Sequence, residues 1–249
     1  LNVERSFPEV IRLAVEMAWG SICGGKTDSP GYTPGHEKIF KRHGSFNDDY
    51  DIAWTMLTLA ASNGSKDLSD ALPSPDRLSE ELATFSGNVI SWISSRYGTP
   101  VLRDPVRKLC AGLYFGTDEE PGLYSLEVPM LSLHWEDLPL PVGVYTGRNL
   151  PEWQLAKKAL GWQDFPDDKI IHSDTGIHKP SPEGLELLSK RLGCTDPVFF
   201  GDTGSDMKAQ AAFGKGRFVA IGKLLSEADY IYDHTERAVK DIISLIEEE

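Results

Sequence analysis

Apolar positions along the chain change rhythm once. Over 6–126 they recur mostly at helical spacing, joined by connections rich in Gly, Pro and Ser. Ser6 with Glu9 three residues on forms a capping-box pattern, and Phe7, Val10, Ile11, Ala14, Val15 and Ala18 repeat on one face, so a helix is expected here. Helices are also expected over 50–61, 78–97 and 105–113. The stretch 62–76, dense in Asn, Gly, Ser and Pro, reads as a long loop. After Pro141 the pattern becomes short apolar strand followed by helix. Strands are expected at 142–145, 170–172, 198–200, 218–221 and 230–232. Helices fall between and after them at 151–160, 182–192, 205–213 and 236–246, with Ser181 as a cap and Gly193 as a stop. Alternation of this kind predicts a parallel sheet covered on both faces, with its ligand site at the strands' carboxyl ends. There is no internal repeat.

Composition narrows the classes. The 249 residues are 40% hydrophobic and 25% charged, which is globular and sufficient for a substantial core. No apolar run approaches the roughly 18 residues that cross a bilayer, and no signal-like segment opens the chain, so membrane insertion is not expected. Lys and Arg total 25 against 38 Asp and Glu, a net charge of -13. That field repels phosphate backbones and disfavours nucleic acid, but it admits a small anion held by a few local cations. Cys23, Cys110 and Cys194 are odd in number and lack CxxC spacing. A disulfide scaffold or zinc cluster is therefore not expected, and a reducing cytoplasm fits.

Gly20-Ser21-Ile22-Cys23-Gly24-Gly25-Lys26-Thr27 matches GxxxxGK[ST] in letters. Nucleotide binding by that loop needs a strand before it and a helix after it. Here a helix runs into Gly20, and Asp28-Ser29-Pro30-Gly31 opposes a following one. The stretch reads as a Gly-rich connection.

Three features at strand ends in the second region carry chemistry. Val144-Tyr145-Thr146-Gly147-Arg148-Asn149 is a strand ending in a hydroxyl, and Thr146 with the N–H of Gly147 can hold a phosphoryl oxygen. His178-Lys179-Pro180-Ser181-Pro182-Glu183 places Lys179 after a strand and before a helix, where its ammonium can neutralise phosphate and steady carboxylates. Val198-Phe199-Phe200-Gly201-Asp202-Thr203-Gly204-Ser205-Asp206 delivers two carboxylates, Asp202 and Asp206, onto a tight turn. Hard oxygens grouped this way suit Mg²⁺. Helix capping is the competing use of Ser205 and Asp206.

In order and spacing these features resemble the haloacid dehalogenase superfamily, subfamily IA. Thr146 matches its second motif, Lys179 its third, and Asp202 with Asp206 its fourth, GDxxxD. The resemblance is best over 121–232. It implies an α/β fold: a Rossmann-like parallel core (126–249 with 1–4) and an inserted α-helical cap (5–125). It also implies an Mg²⁺-dependent phosphatase acting on a small phosphorylated metabolite through an aspartyl-phosphate. In that scheme Thr146, Gly147 and Lys179 bind phosphate, with Thr146 and Lys179 in the catalytic set. Asp202 holds the metal, and Asp206 is either a second ligand or a support for Asp202 and Lys179. Arg148, Asn47 and Arg42 are candidate substrate contacts, and the cap closes over the substrate. The segment 44–54, with Asn47-Asp48-Asp49-Tyr50-Asp51, is similar to a cap segment in a branch sometimes associated with histidine biosynthesis genes.

The family's first motif, DxDG[TV], which supplies the nucleophilic Asp, does not occur. Asp49-Tyr50-Asp51 has the spacing but runs on into Ile52-Ala53-Trp54 at a helix start. A parallel sheet lacking that central strand leaves ladder groups unpaired, at about 1–3 kcal/mol for each buried group. An upstream segment carrying the motif is therefore expected in the whole protein. A non-catalytic binding protein and a metal-independent dehalogenase are the alternatives.

Overall fold

In the computed structural model, which describes residues 1–28 and 31–247, the chain is a mixed α/β protein with parallel sheets and many helices. It forms two compact units, one of Val3–Glu127 and one of Leu1–Asn2 with Val128–Glu249.

The first unit is helical: α1 Phe7–Ser21, α2 Pro34–Arg42, α3 Asp49–Asn63, α4 Leu68–Ala71, α5 Pro75–Leu82, α6 Val89–Tyr97 and α7 Arg103–Phe115. Helices α1, α3 and α7 pack against one another. α3 is buried continuously from Tyr50 to Ala60 because it lies at the centre of this group. The charged Asp51 within it is met by Arg103 at 2.7 and 3.0 Å and by Arg107 at 3.1 Å, as a buried carboxylate requires.

Several helix expectations are corrected here. The run 78–97 is two helices, because Asn88 accepts from the Ser91 N–H at 2.9 Å and opens α6 afresh just after Gly87, whose φ is +111°. Ser6 makes no capping box: its buried hydroxyl donates to the Val3 carbonyl and to Glu127, both at 3.1 Å. The expected loop 62–76 contains the short α4, capped by Asp67. α2 was not expected; Thr33 and Pro34 open it, and only His36 and Phe40 of its residues are buried. The Walker-like stretch is entered by helix α1 and continues to Lys26, whose N–H donates to the Lys66 carbonyl at 2.7 Å. No strand–loop–helix forms there among the described residues; Ser29 and Pro30 lie outside them.

The second unit alternates: β1 Val144–Tyr145, α8 Leu150–Leu160, β2 Ile170–Ile171, α9 Glu183–Leu192, β3 Val198–Gly201, α10 Gly204–Phe213, β4 Arg217–Ile221, β5 Tyr230–Tyr232 and α11 Thr235–Glu247. The pairings of β1 to β5 are parallel, but the single sheet expected from the sequence is two ladders among the described residues, β1–β2 and β3–β4–β5. Tyr145, Ile171, Leu185, Leu188 and Ala209 form one apolar cluster against which Phe199 and Phe213 pack, so both ladders share a side-chain layer. β1 and β3 each lie at an edge of their ladder.

The start of β4 depends on a glycine. Gly216 has φ +77°, and a Cβ there would lie 1.9 Å from the Pro197 carbonyl oxygen, the same oxygen that accepts from Arg217 N–H at 3.0 Å. Gly216→Ala is expected to lower unfolding free energy by about 2 kcal/mol or more. Urea unfolding followed by circular dichroism checks this, and an unchanged midpoint would show that β3 and β4 can part without cost.

Candidate functional site

At the carboxyl end of β3 the chain turns through Asp202 and Thr203 into α10. A Cβ on Gly201 would sit 2.4 Å from the Asp206 Cβ, so the glycine is what allows Asp206 to fold back over the strand end. Thr203 and Asp206 then form a capping box: the Thr203 hydroxyl accepts from Asp206 N–H at 3.4 Å and donates to Asp206 Oδ2 at 2.6 Å. The same Oδ2 accepts the backbone N–H groups of Asp202, at 3.2 Å, and Thr203, at 3.0 Å. The expected capping use of Asp206 is thus observed, and an acid in the first turn also suits the helix dipole.

The other oxygen faces Lys179. Asp206 Oδ1 lies 2.6 Å from Lys179 Nζ, with side-chain exposures of 5% and 10%, low enough to make this a buried ion pair. Burial alone would push the Asp206 carboxyl up. The Lys179 charge and the hydrogen bonds from Lys179 and Thr203 outweigh it and hold the group below the ordinary carboxylate range. Asp206 is therefore ionised and fully engaged by protein donors. The Asp202 side chain, by contrast, is exposed.

Thr146 follows the last residue of β1. Its N–H donates to the Ile171 carbonyl at 2.9 Å, which continues the β1–β2 ladder, and its hydroxyl accepts from Arg148 N–H at 3.2 Å. That leaves the hydroxyl proton available to a ligand oxygen. Arg148 is half-buried, and its carbonyl accepts from Ser173 N–H at 2.9 Å. Arg42, exposed at the end of α2, and Asn47, half-buried just before α3, belong to the helical unit rather than to this one.

The structure thus joins Lys179 directly to the Asp202–Asp206 turn. It joins Lys179 to the β1 end through Tyr145, whose ring centroid is 5.8 Å from Nζ. Sequence reasoning missed Tyr145 and Thr203. For Thr203 the signal was available, a Thr three residues before an Asp at a helix start. For Tyr145 there was only an aromatic residue in a strand, which reads as core. Asp202 offers one exposed carboxylate on the turn, the hard-oxygen type of ligand that a divalent cation such as Mg²⁺ takes.

The second unit is thus one of parallel strands and covering helices, with a buried lysine–aspartate pair and an exposed carboxylate at the end of β3. The family model of haloacid dehalogenase-like hydrolases matches residues 104–214, a stretch holding Thr146, Lys179, Asp202 and Asp206. Among solved structures, a haloacid dehalogenase-superfamily hydrolase of subfamily IA, variant 1, from Geobacter sulfurreducens PCA is 17% identical. That match covers 84% of this chain and 90% of that one, with a TM-score of 0.43. A conserved haloacid dehalogenase-like protein of unknown function from Agrobacterium tumefaciens str. C58 is 12% identical over 89% of this chain and 96% of that one, with a TM-score of 0.47. No curated protein matches the chain. Among the described residues no helix is long and apolar enough to cross a membrane.

Proposed function

We propose that this hydrolase-family chain is an Mg²⁺-dependent phosphatase that cleaves a small phosphorylated metabolite through an aspartyl-phosphate. The observation that carries the reading is the buried Lys179–Asp206 pair fastened to the Asp202 turn at the end of β3. A lysine ammonium fixed in this way is an electrostatic clamp for a phosphoryl oxygen as charge builds, and it costs no reorganisation at the moment of reaction.

Each residue has a role in this reading. Thr146 donates its hydroxyl, and Gly147 its N–H, to one phosphoryl oxygen, while Lys179 neutralises another. Asp202 would hold the cation, which when bound supplies charge neutralisation and orientation of the phosphate. Asp206 positions Lys179 and the amides of the turn. The nucleophile in this reading is a carboxylate that none of the three strand-end motifs supplies. Its oxygen bonds to phosphorus as the ester P–O bond breaks and the alcohol leaves; water then cleaves the acyl phosphate, releasing inorganic phosphate and restoring the carboxylate. Arg148, Asn47 and Arg42 remain candidate contacts to the substrate body. Small metabolites rather than nucleic acid fit the net charge of -13. The free thiols Cys23, Cys110 and Cys194 fit a reducing, cytoplasmic setting.

A phosphate-release screen on the native protein across sugar, nucleotide and amino-acid-pathway phosphates, with Mg²⁺ and with chelator, tests the proposal. Release with at least one substrate class, lost on chelation, is expected. Halide release from 2-haloacids without metal would make it a dehalogenase. Ligand binding with no turnover would make it a binding protein.

A further inference from the structure

We propose that Tyr145 is a positioning residue that sets Lys179 at a fixed reach from the Thr146 end of β1; the proposal rests on the phosphatase reading for its catalytic consequence. Three contacts converge on this side chain. Its ring is buried at 6% exposure beneath the segment that carries Lys179. Its hydroxyl donates to the Ser181 carbonyl at 3.1 Å. Burial, with the charges of Glu183 and Asp206, pushes the phenol up, so at neutral pH it keeps its proton and remains a donor. The Lys179 ammonium stands 5.8 Å from the ring centroid, within the range of a cation–π contact.

A glycine makes room for this arrangement. A Cβ on Gly184, in the first turn of α9, would lie 2.5 to 2.7 Å from three carbons of the Tyr145 ring. The ring therefore occupies the space of a side chain on that turn and is gripped from the α9 side. Ser181 N–H donates to the His178 carbonyl at 2.9 Å, so the lysine-bearing turn is closed on itself and then fastened to β1 by the tyrosine hydroxyl.

The physical need for such a device follows from lysine itself. Its ammonium rides on a flexible four-carbon stem and is not directed by its own geometry. Asp206 restrains it from the β3 side at 2.6 Å. Tyr145 ties it to β1, where the Thr146 hydroxyl is fixed one residue further along the backbone. A phosphate held by both groups requires their separation to be constant, and small misplacements are costly to rate. Asp206, in the first turn of α10, and Tyr145, on β1, thus restrain one ammonium from two separate elements.

The test pairs a chemical probe with kinetics. Lys179 is acetylated with an amine-selective acyl ester at fixed pH, and its rate is read by mass spectrometry against the exposed Lys190 in the same sample. Tyr145→Leu and Gly184→Ala are each expected to raise the Lys179 rate by about three- to tenfold with the Lys190 rate unchanged, and Tyr145→Phe to give a smaller rise because it keeps the ring. In turnover, Tyr145→Leu is expected to lower kcat by roughly tenfold or more with a smaller change in KM, and Tyr145→Phe to recover part of that loss. Thermal unfolding checks that each variant is folded, and Tyr145→Phe serves where the others are not. Lys179 labelling at the wild-type rate in every folded variant overturns the proposal. So does faster labelling with kcat unchanged in an active enzyme. Faster labelling in a protein whose wild type releases no phosphate from any substrate would leave Tyr145 as the restraint on Lys179 and remove only the phosphatase reading.

Discussion

Asp206→Asn is expected to lower unfolding free energy by about 3 kcal/mol, one of the largest effects of any single substitution in the second unit. The asparagine oxygen can still accept from the amides of the turn, so the loss is concentrated in the ion pair. Lys179 is left with 10% of its side chain exposed and no carboxylate 2.6 Å away. A buried charge stripped of its partner costs more than the pair itself contributes, because the desolvation of the survivor is no longer offset. A double variant separates the two terms: Lys179→Met with Asp206→Asn is expected to be more stable than Asp206→Asn alone, since the orphaned charge is gone. Chemical denaturation of the three proteins checks this, and a single-variant loss below about 1 kcal/mol would mean the pair is open to solvent. The pH dependence has a definite sign. The folded carboxyl lies below its ordinary value, so its contribution is present in full above the unfolded value of about 3.9. The gap between wild type and Asp206→Asn should therefore be flat from neutral pH to about 5, shrink as pH falls past about 4, and vanish only below the folded value.

What the sequence disclosed and what it hid divide along the length scale of the interaction. Local punctuation was readable: Gly193 stops α9 in the left-handed conformation, and the apolar triplet Tyr230–Tyr232 is β5 with the bounds expected. Helix α2 escaped because it buries little, and its only signal is Thr33 followed by Pro34. The break inside 78–97 escaped because Phe85 and Val89 continue an apolar run. The decisive features, Asn88 as a cap and the positive φ at Gly87, are backbone matters. Ser6 and Glu9 match a capping box, yet the partner that takes the Ser6 hydroxyl is Glu127, far along the chain.

The site shows the same division. Thr146, Lys179, Asp202 and Asp206 stand out as residue types at strand ends, because each motif is short and local. What joins them is not local. The ammonium of Lys179 reaches a carboxylate 27 residues away, and the ring it stands over belongs to the other ladder. From the sequence Asp206 had two open roles, ligand or support. The geometry bears on that choice, since four protein donors from three residues converge on its two oxygens.

Asp202→Ala is expected to show the opposite signature to Asp206→Asn: loss of Mg²⁺-dependent phosphate release by at least about 10²- to 10³-fold with less than about 1 kcal/mol of stability lost. The two carboxylates stand four residues apart on one turn, yet the fold uses them differently. Asp206 is bonded inward. Asp202 lends the turn its backbone N–H, at 3.2 Å from Asp206 Oδ2, and keeps its side chain exposed. Truncating that side chain is expected to leave the amide, the capping box and the Lys179 pair in place, so in the proposed phosphatase the clamp on phosphate would survive while the cation would lose its carboxylate. The remaining activity should then depend on Mg²⁺ only at concentrations far above those the wild type needs, which a titration of phosphate release against Mg²⁺ reads directly. An Asp202→Ala protein with wild-type turnover and an unshifted Mg²⁺ curve would place the cation elsewhere and leave the outward carboxylate without a role in the reaction.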